Sequence, residues 1–155
     1  MRASRTVLRS CRDDQFKVPI EMDDISDILG RIAAVETQAE LWTLMLDYFH
    51  GQGVTMASYH AVDANLDSIR IAADGFPEDW VCEYVERDLV KVDPIPELAA
   101  QLAQPFFWHE VRDLYDKSAA HSKFLDALEA AEIGDGLALY VFGPGLRNAY
   151  VGLGF

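Results

Sequence analysis

Hydrophobic residues recur every three or four positions in two stretches near the start of the chain. They are Ile25, Ile28, Leu29 and Ile32 in the first stretch, and Leu41, Leu44, Met45, Tyr48 and Phe49 in the second. Polar residues occupy the positions between them, which is typical of a helix with one apolar face. The pattern therefore predicts two amphipathic helices, the second of which ends at Gly51 and Gly53.

The pattern changes to that of strands after these glycines. Residues 54–62 predict one strand and residues 68–73 a second, and the turn-forming run at 63–67 lies between them. We therefore expect a β-hairpin after the first two helices.

The rest of the chain predicts three more helices and two closing strands. The helices are expected at 77–89, from Asp93 onward and at 118–133, a short apolar segment at 105–108, and the strands at 137–142 and 148–155. The strand at 137–142 has no strongly polar position, so both faces of its sheet should be covered. Because the strands come in adjacent pairs flanked by runs of helix, the sequence predicts an α+β fold, a helix/sheet/helix sandwich around an antiparallel sheet.

Charge is unevenly distributed along the chain. The net charge is −13, yet five of the thirteen basic residues lie within the first seventeen positions. Proteins bind phosphate backbones mainly through Lys and Arg, so the acidic remainder is a poor nucleic-acid binder by itself. We interpret residues 1–20 as a flexible basic arm and residues 21–155 as one folded domain.

The sequence contains no pattern typical of a membrane span, a metal site or a disulfide. No apolar run reaches the roughly eighteen residues of a membrane helix, and the first twenty residues lack the apolar stretch of a secretory signal. Cys11 and Cys82 are interpreted as free thiols, because nothing pairs them and no Cys/His cluster has metal-ligand spacing. We expect a cytoplasmic protein without a bound metal, a cofactor or membrane contact.

Two aromatic residues and one aspartate are candidate binding residues. Trp80 and Tyr84 are one helical turn apart, so their rings share a face, and each ring carries a polar group. Rings at this spacing most often simply pack in a core. Asp93 before Pro94 is likewise most often only a helix N-cap. Each feature alone therefore has an ordinary structural explanation.

The combination of these residues is more specific. The pattern Trp80-x3-Tyr84-x8-Asp93-Pro94-x13-Trp108-x27-Gly136 resembles the autoinducer-binding domain of the LuxR family of quorum-sensing regulators. The resemblance covers residues 24–155, weakly in the first two helices and strongly over 76–137. It implies a five-stranded antiparallel sheet between helices, with an N-acyl homoserine lactone buried against the sheet as the small-molecule autoinducer.

The resemblance also implies roles for four residues. Asp93 would accept the amide N–H of the ligand and Trp80 would donate to the lactone carbonyl, because a carboxylate can only accept and an indole N–H can only donate. Tyr84 and Trp108 would form walls of the pocket. An ionised carboxylate in an apolar pocket is costly unless it is hydrogen-bonded, so the ligand is expected to complete the core.

Three positions depart from the family pattern. Phe76 stands where the family usually has a tyrosine that donates to the amide carbonyl of the ligand, and Tyr59, Ser58 or a buried water are the candidate replacements. Ile95 and Gly152 stand where some members have hydroxyl-bearing residues near the ligand. These departures leave a plain acyl chain, an aryl acyl group and a non-lactone ligand all open.

The family pattern continues beyond the last residue of this chain. The family's ligand domain is followed by a dimerisation helix, a linker and a helix-turn-helix domain, whereas this chain stops at Phe155. We expect a truncated piece of a regulator that is a homodimer in its full-length form and contacts DNA only through the missing helix-turn-helix domain. The alternative is a natural protein that acts as a ligand sink or as a dimerisation antagonist of full-length regulators.

Two rival functions belong to other classes. An enzyme would draw an acid, a base or metal ligands from Asp93, His109, Glu110 and His121, yet no GxSxG, HExxH or phosphate-loop motif is present. A protein-interaction module with a degenerate pocket would explain the three departures from the family pattern. We predict a ligand-binding domain without catalytic or metal-binding residues.

Overall fold

A computed structural model describes residues 7–8, 25–62, 69–114 and 118–155. In chain order the elements are β1 (Val7–Leu8), α1 (Ile25–Ala33), α2 (Gln38–Gly51), β2 (Met56–Val62), β3 (Ile69–Asp74), α3 (Glu78–Glu86), α4 (Pro94–Leu102), β4 (Phe106–Phe107), α5 (Val111–Leu114), α6 (Ala119–Ala130), β5 (Gly136–Val141) and β6 (Ala149–Gly154). Short 3₁₀ turns lie at Leu89–Lys91, Trp108–Glu110 and Pro144–Leu146. Within these described ranges no helix is long and apolar enough to cross a membrane.

The strands form one sheet in the order β1-β3-β2-β6-β5-β4. The strands β2 to β6 are antiparallel to their neighbours, whereas β1 pairs in parallel with β3 through Val7↔Ile71 and Leu8↔Ala72. The predicted helix/sheet/helix sandwich around five antiparallel strands is confirmed, and the sheet also contains the two-residue β1. The remainder of the predicted arm and the predicted hairpin turn at 63–67 lie outside the described residues.

Local signals explain where the helices begin and end. The hydroxyl of Thr37 accepts the N–H of Glu40 at 3.2 Å and the carboxylate of Glu40 accepts the N–H of Thr37 at 3.1 Å, which forms a capping box at the start of α2. The helix predicted at 77–89 ends earlier, at Glu86, and Asp88 takes the left-handed conformation with φ of 57°. A helix cannot continue through that conformation.

Alternate residues of the strands face two hydrophobic cores. On the outer face, Leu46 of α2 packs with Ala57 of β2. On the inner face, a larger core includes Tyr84 of α3, Leu98 of α4 and Phe124 of α6. The sheet is therefore covered on both sides, as the apolar strand at 137–142 predicted.

The middle of the inner face carries small side chains. Ser58 of β2 pairs across the sheet with Ala73 and Gly152, and Gly152 pairs in turn with Ala138. Strand residues that are directly paired point to the same face of a sheet. Two of these four residues, Ser58 and Ala73, border a space above the sheet that lies beneath α3.

Gly136 has a specific packing role at the edge of this region. A Cβ atom at position 136 would lie 2.7 Å from two ring carbons of Trp108 and 2.7 Å from the carbonyl oxygen of Leu153. The indole is buried and the carbonyl belongs to the neighbouring strand, so neither can move aside at low cost. Glycine is therefore required where Trp108 packs on the sheet.

We expect Gly136→Ala to lower the free energy of unfolding by about 1–3 kcal/mol, which is typical of overpacking a core. Urea denaturation followed by circular dichroism measures this change. Gly30→Ala in α1 is the matched control, because nothing lies within 4 Å of a Cβ there, and it should be neutral or stabilise by about 0.5–1 kcal/mol. Equal stability of the Gly136→Ala variant and the wild type would contradict the packing role.

Candidate ligand-binding site

A cavity lies between the inner face of the sheet and the helices. Its volume is about 70 Å³, counted as the space that the centre of a water molecule can occupy. One water needs roughly 10–15 Å³ on this measure, so the cavity holds more than a single water. The lining residues are Ser58, His60, Ile71, Ala73, Phe76, Trp80, Val81, Tyr84, Val85, Asp93, Ile95, Trp108, Phe124, Leu128 and Tyr150.

Asp93 is the acidic residue of the lining and is held by two hydrogen bonds. It is the N-cap of α4, where its Oδ1 accepts the N–H of Ile95 at 2.9 Å. Its Oδ2 accepts the hydroxyl of Tyr84 at 2.8 Å. Burial raises the pKa of Asp93 to about 7, while the hydrogen bonds from Ile95 and Tyr84 act in the opposite direction. The carboxyl group therefore titrates near neutral pH.

Aromatic rings on the helices form one wall of the cavity. The ring of Trp80 lies 6.2 Å from that of Tyr84 and 5.8 Å from that of Phe124, between ring centroids. Phe76 stacks on Trp108 at 6.4 Å with an interplanar angle of 29°. The rings thus form two groups of the same hydrophobic core, Phe76 with Trp108 and Trp80 with Tyr84 and Phe124.

The sheet contributes polar groups to the floor of the cavity. Ser58 and Tyr150 are both buried, and a Cβ at Gly152 would lie 2.5 Å from the Tyr150 hydroxyl and 2.7 Å from the Ser58 hydroxyl. The two hydroxyls therefore occupy the space that a side chain at position 152 would need. Burial and the nearby Asp93 raise the pKa of Tyr150, so its hydroxyl stays protonated.

Two buried nitrogen atoms at the cavity lack a hydrogen-bond partner among the described residues. They are Nδ1 of His60 and Nε1 of Trp108. The Trp108 nitrogen lies near the Tyr150 hydroxyl, but the geometry does not make a hydrogen bond. Burial lowers the pKa of His60 to about 4, so this ring is neutral at physiological pH. Buried polar atoms without partners are rare in folded proteins, so these two nitrogens are positions that a water or a ligand in the cavity would serve.

The structure brings six of the eight predicted binding residues to this cavity. They are Phe76, Trp80, Tyr84, Asp93, Ile95 and Trp108. Gly152 lies directly behind the lining, under the hydroxyls of Tyr150 and Ser58.

The prediction that Tyr59 lies in the binding site is wrong. Tyr59 is 39% exposed and is absent from the cavity lining. Side chains alternate along a strand, so Tyr59 faces the opposite side of β2 from Ser58 and His60. Of the two side chains considered as replacements for the missing hydroxyl at Phe76, only Ser58 therefore lies in the cavity.

Sequence reasoning missed His60 and Tyr150. The signal that was available is their spacing, since His60 is two residues from Ser58 and Tyr150 is two residues from Gly152. The pairing of His60 with Tyr150 across the sheet brings both into the cavity. Their rings meet edge-on, with centroids 5.1 Å apart.

The residues considered for catalysis lie elsewhere. None of His109, Glu110 and His121 lines the cavity. His109 is exposed, and its Nδ1 pairs with a carboxylate oxygen of Asp135 at 2.6 Å, which raises the pKa of His109. Among the described residues no group of three or more His, Cys, Asp or Glu side chains could hold a metal ion.

A largely apolar cavity with a few convergent polar groups is typical of a small-molecule-binding domain. Residues 37–155 match the protein family described as "Autoinducer binding domain". The chain belongs to this family, the ligand-sensing domain of LuxR-type transcriptional regulators. It is a ligand-binding domain and not an enzyme.

One protein of similar sequence is a transcriptional regulator from Rhodopseudomonas palustris. The HTH-type quorum sensing-dependent transcriptional regulator RpaR is 32% identical over 79 residues, which are 51% of this chain and 31% of RpaR. The chain thus matches about a third of the length of this relative.

Solved structures share the fold. CepR2 from Burkholderia cenocepacia, an N-acylhomoserine lactone-dependent LuxR family transcription factor, has a TM-score of 0.66 at 16% identity, over 83% of this chain and 74% of CepR2. Escherichia coli SdiA has a TM-score of 0.66 at 17% identity, over 83% of this chain and 53% of SdiA. A complex of SdiA with octanoyl-rac-glycerol gives 0.64 at 19% identity, over 83% and 51%.

Asp93 and His60 should oppose each other in the pH dependence of stability. The pKa of Asp93 rises from 3.8 to about 7 on folding, so the stability that it contributes is lost as the pH rises from 4 to 7. The pKa of His60 falls from 6.5 to about 4, so its contribution is lost as the pH falls from 6.5 to 4. Between pH 4 and 6.5, Asp93 and His60 together carry one proton in both the folded and the unfolded protein. The proton is on Asp93 in the folded protein and on His60 in the unfolded protein.

We expect the two contributions to separate in single variants of the ligand-free protein. Relative to the wild type, Asp93→Asn should gain stability as the pH rises from 4 to 7, by on the order of a few kcal/mol in total. His60→Leu should show the reverse slope. Thermal unfolding at half-unit pH steps measures both differences, and parallel slopes for the two variants would refute the opposed shifts.

Proposed function

We propose that this domain binds an N-acyl homoserine lactone, or a closely related amide, in the cavity beneath α3. The observation that carries the proposal is the carboxyl of Asp93, which lines the cavity beside Trp80. A carboxylate is an acceptor for the amide N–H that such a ligand offers. The domain would act as the sensor of a transcriptional regulator that contacts DNA through a separate helix-turn-helix domain and forms a homodimer.

Asp93 keeps capacity for a ligand after its contacts within the protein. A carboxylate has about four lone-pair positions, and the N–H of Ile95 and the hydroxyl of Tyr84 occupy two of them. A ligand N–H at a third position would favour the ionised form of Asp93 and so lower its pKa. The indole N–H of Trp80 would donate to the lactone carbonyl.

The acyl carbonyl of the ligand needs a donor that Phe76 does not supply. The hydroxyls of Tyr150 and Ser58 lie on the cavity floor, and the indole N–H of Trp108 has no partner among the described residues. The Tyr150 hydroxyl lies where a side chain at position 152 would otherwise reach. We infer that Tyr150 replaces both the tyrosine missing at position 76 and the hydroxyl missing at position 152.

Isothermal titration calorimetry of the purified domain with N-octanoyl homoserine lactone should give one site per chain. The ester analogue, in which oxygen replaces the amide N–H, should bind more weakly by about 1–3 kcal/mol, since it leaves Asp93 without its ligand donor. Asp93→Asn should weaken amide binding and reduce the difference between amide and ester. Asp126→Asn, which changes a carboxylate on the surface, is the matched control and should bind both ligands like the wild type.

The proposal fails if short, long and aryl acyl lactones all show no binding. SdiA forms a complex with octanoyl-rac-glycerol, so that ester belongs in the same titration. Tighter binding of the glycerol ester than of every lactone would show that the ligand class is a different one.

The role of Tyr150 is tested by exchanging one hydroxyl for another. Tyr150→Phe should weaken lactone binding by roughly three- to tenfold, the worth of one neutral hydrogen bond. Adding Phe76→Tyr to this variant should restore affinity, because the family's own donor returns. The same Phe76→Tyr change in the wild type should have little effect. A gain in the wild type, with no loss in Tyr150→Phe, would mean that the carbonyl has no donor in this protein.

A further inference from the structure

His60 is a buried polar residue that the proposed contacts to the ligand do not use. It is 7% exposed, lines the cavity, and its Nδ1 has no hydrogen-bond partner among the described residues. The rings of Tyr84 and Tyr150 contact the imidazole in T-shaped arrangements, at centroid distances of 5.9 and 5.1 Å. These ring contacts do not supply a hydrogen bond to Nδ1. A buried nitrogen in this state favours a bound molecule that carries a matching polar group.

The fold places His60 away from the cluster of Phe76 and Trp108. Along β2, His60 lies two residues beyond Ser58, which corresponds to about 7 Å of strand. Along α3, Tyr84 lies one turn beyond Trp80, and it is the ring of Tyr84 that contacts His60. Both elements therefore run from the end of the cavity that would hold the lactone toward His60. An acyl group extending past Asp93 would meet His60.

We propose that His60 determines which acyl group the cavity accepts, and that the preferred ligand carries a hydroxyl on its acyl group that hydrogen-bonds to Nδ1 of His60. This inference rests on the proposed function, because it extends the same ligand. A neutral imidazole offers Nδ1 either as a donor or as an acceptor, depending on the tautomer, and a hydroxyl can serve both. An unsubstituted acyl chain serves neither and leaves the nitrogen buried without a partner.

The experiment compares ligands that differ by one oxygen atom. Calorimetric titrations of the wild type use N-octanoyl homoserine lactone and its derivatives with a hydroxyl at carbon 3, 5 or 7 of the acyl chain. At least one derivative should bind roughly three- to tenfold more tightly than the unsubstituted ligand, as expected for one neutral hydrogen bond. The others measure where along the chain the hydroxyl meets His60.

Two substitutions at His60 separate hydrogen bonding from packing. His60→Leu removes the polar atom and should abolish the preference for the hydroxylated ligand while it still binds the unsubstituted one. His60→Asn keeps a polar atom close to the position of Nδ1 and should retain the preference. His50→Leu is the matched control, since His50 lies on α2 and pairs with Asp74 outside the cavity lining.

The outcomes distinguish this inference from the proposed function. If the wild type binds N-octanoyl homoserine lactone but no hydroxylated derivative binds more tightly, the assignment of His60 is wrong and the proposed function stands. A preference that persists in His60→Leu also overturns the assignment. If neither this series nor the short, long and aryl acyl lactones bind, both proposals fail. Should His60→Leu not fold, the titrations of the wild type and of His60→Asn still decide.

Discussion

The carboxyl group of Asp93 joins two of the helices that cover the cavity, α3 and α4. It caps the start of α4 through the N–H of Ile95 and receives the hydroxyl of Tyr84 from α3. Without the first hydrogen bond the start of α4 would lose its cap, and without the second the buried hydroxyl of Tyr84 would lose this acceptor. The group is nevertheless buried, and burial raises its pKa to about 7. The same residue that orders the cavity is therefore destabilised when it is ionised and the cavity is empty.

The cavity itself follows from a mismatch of side-chain size between layers. The strands place Ser58, Ala73, Ala138 and Gly152 at the centre of the inner face. The helices contribute large rings, and a space remains between these rings and the part of the sheet that Ser58 and Ala73 form. Dense packing elsewhere in the core keeps this volume from collapsing, and Gly136 holds Trp108 against the sheet beside it.

The sequence predicted most of the fold, and six of the eight residues named from it as binding residues line the cavity. Helix periodicity and the uninterrupted apolar strand sufficed for the sandwich, because both patterns reflect burial directly. β2 was less clear: its inward positions include polar Ser58 and His60, whereas outward Tyr59 is partly apolar. Hydropathy therefore does not show which alternate residues of β2 face the inner side of the sheet. His60 and Tyr150 became visible only once cross-strand pairing was known, since pairing partners are 90 residues apart in the chain.

The polar groups of the cavity connect ligand binding to the stability of the fold. Asp93, His60 and the indole N–H of Trp108 each lose hydration on folding, and the protein alone compensates them incompletely. A ligand that supplies the missing partners binds only the folded chain, so at one hundred times its Kd it adds about 2.7 kcal/mol to stability. Domains of this size are stable by only about 5–15 kcal/mol. Filling the cavity therefore changes the folded population and its rigidity together, which is the physical basis on which such a domain can report the presence of a small molecule.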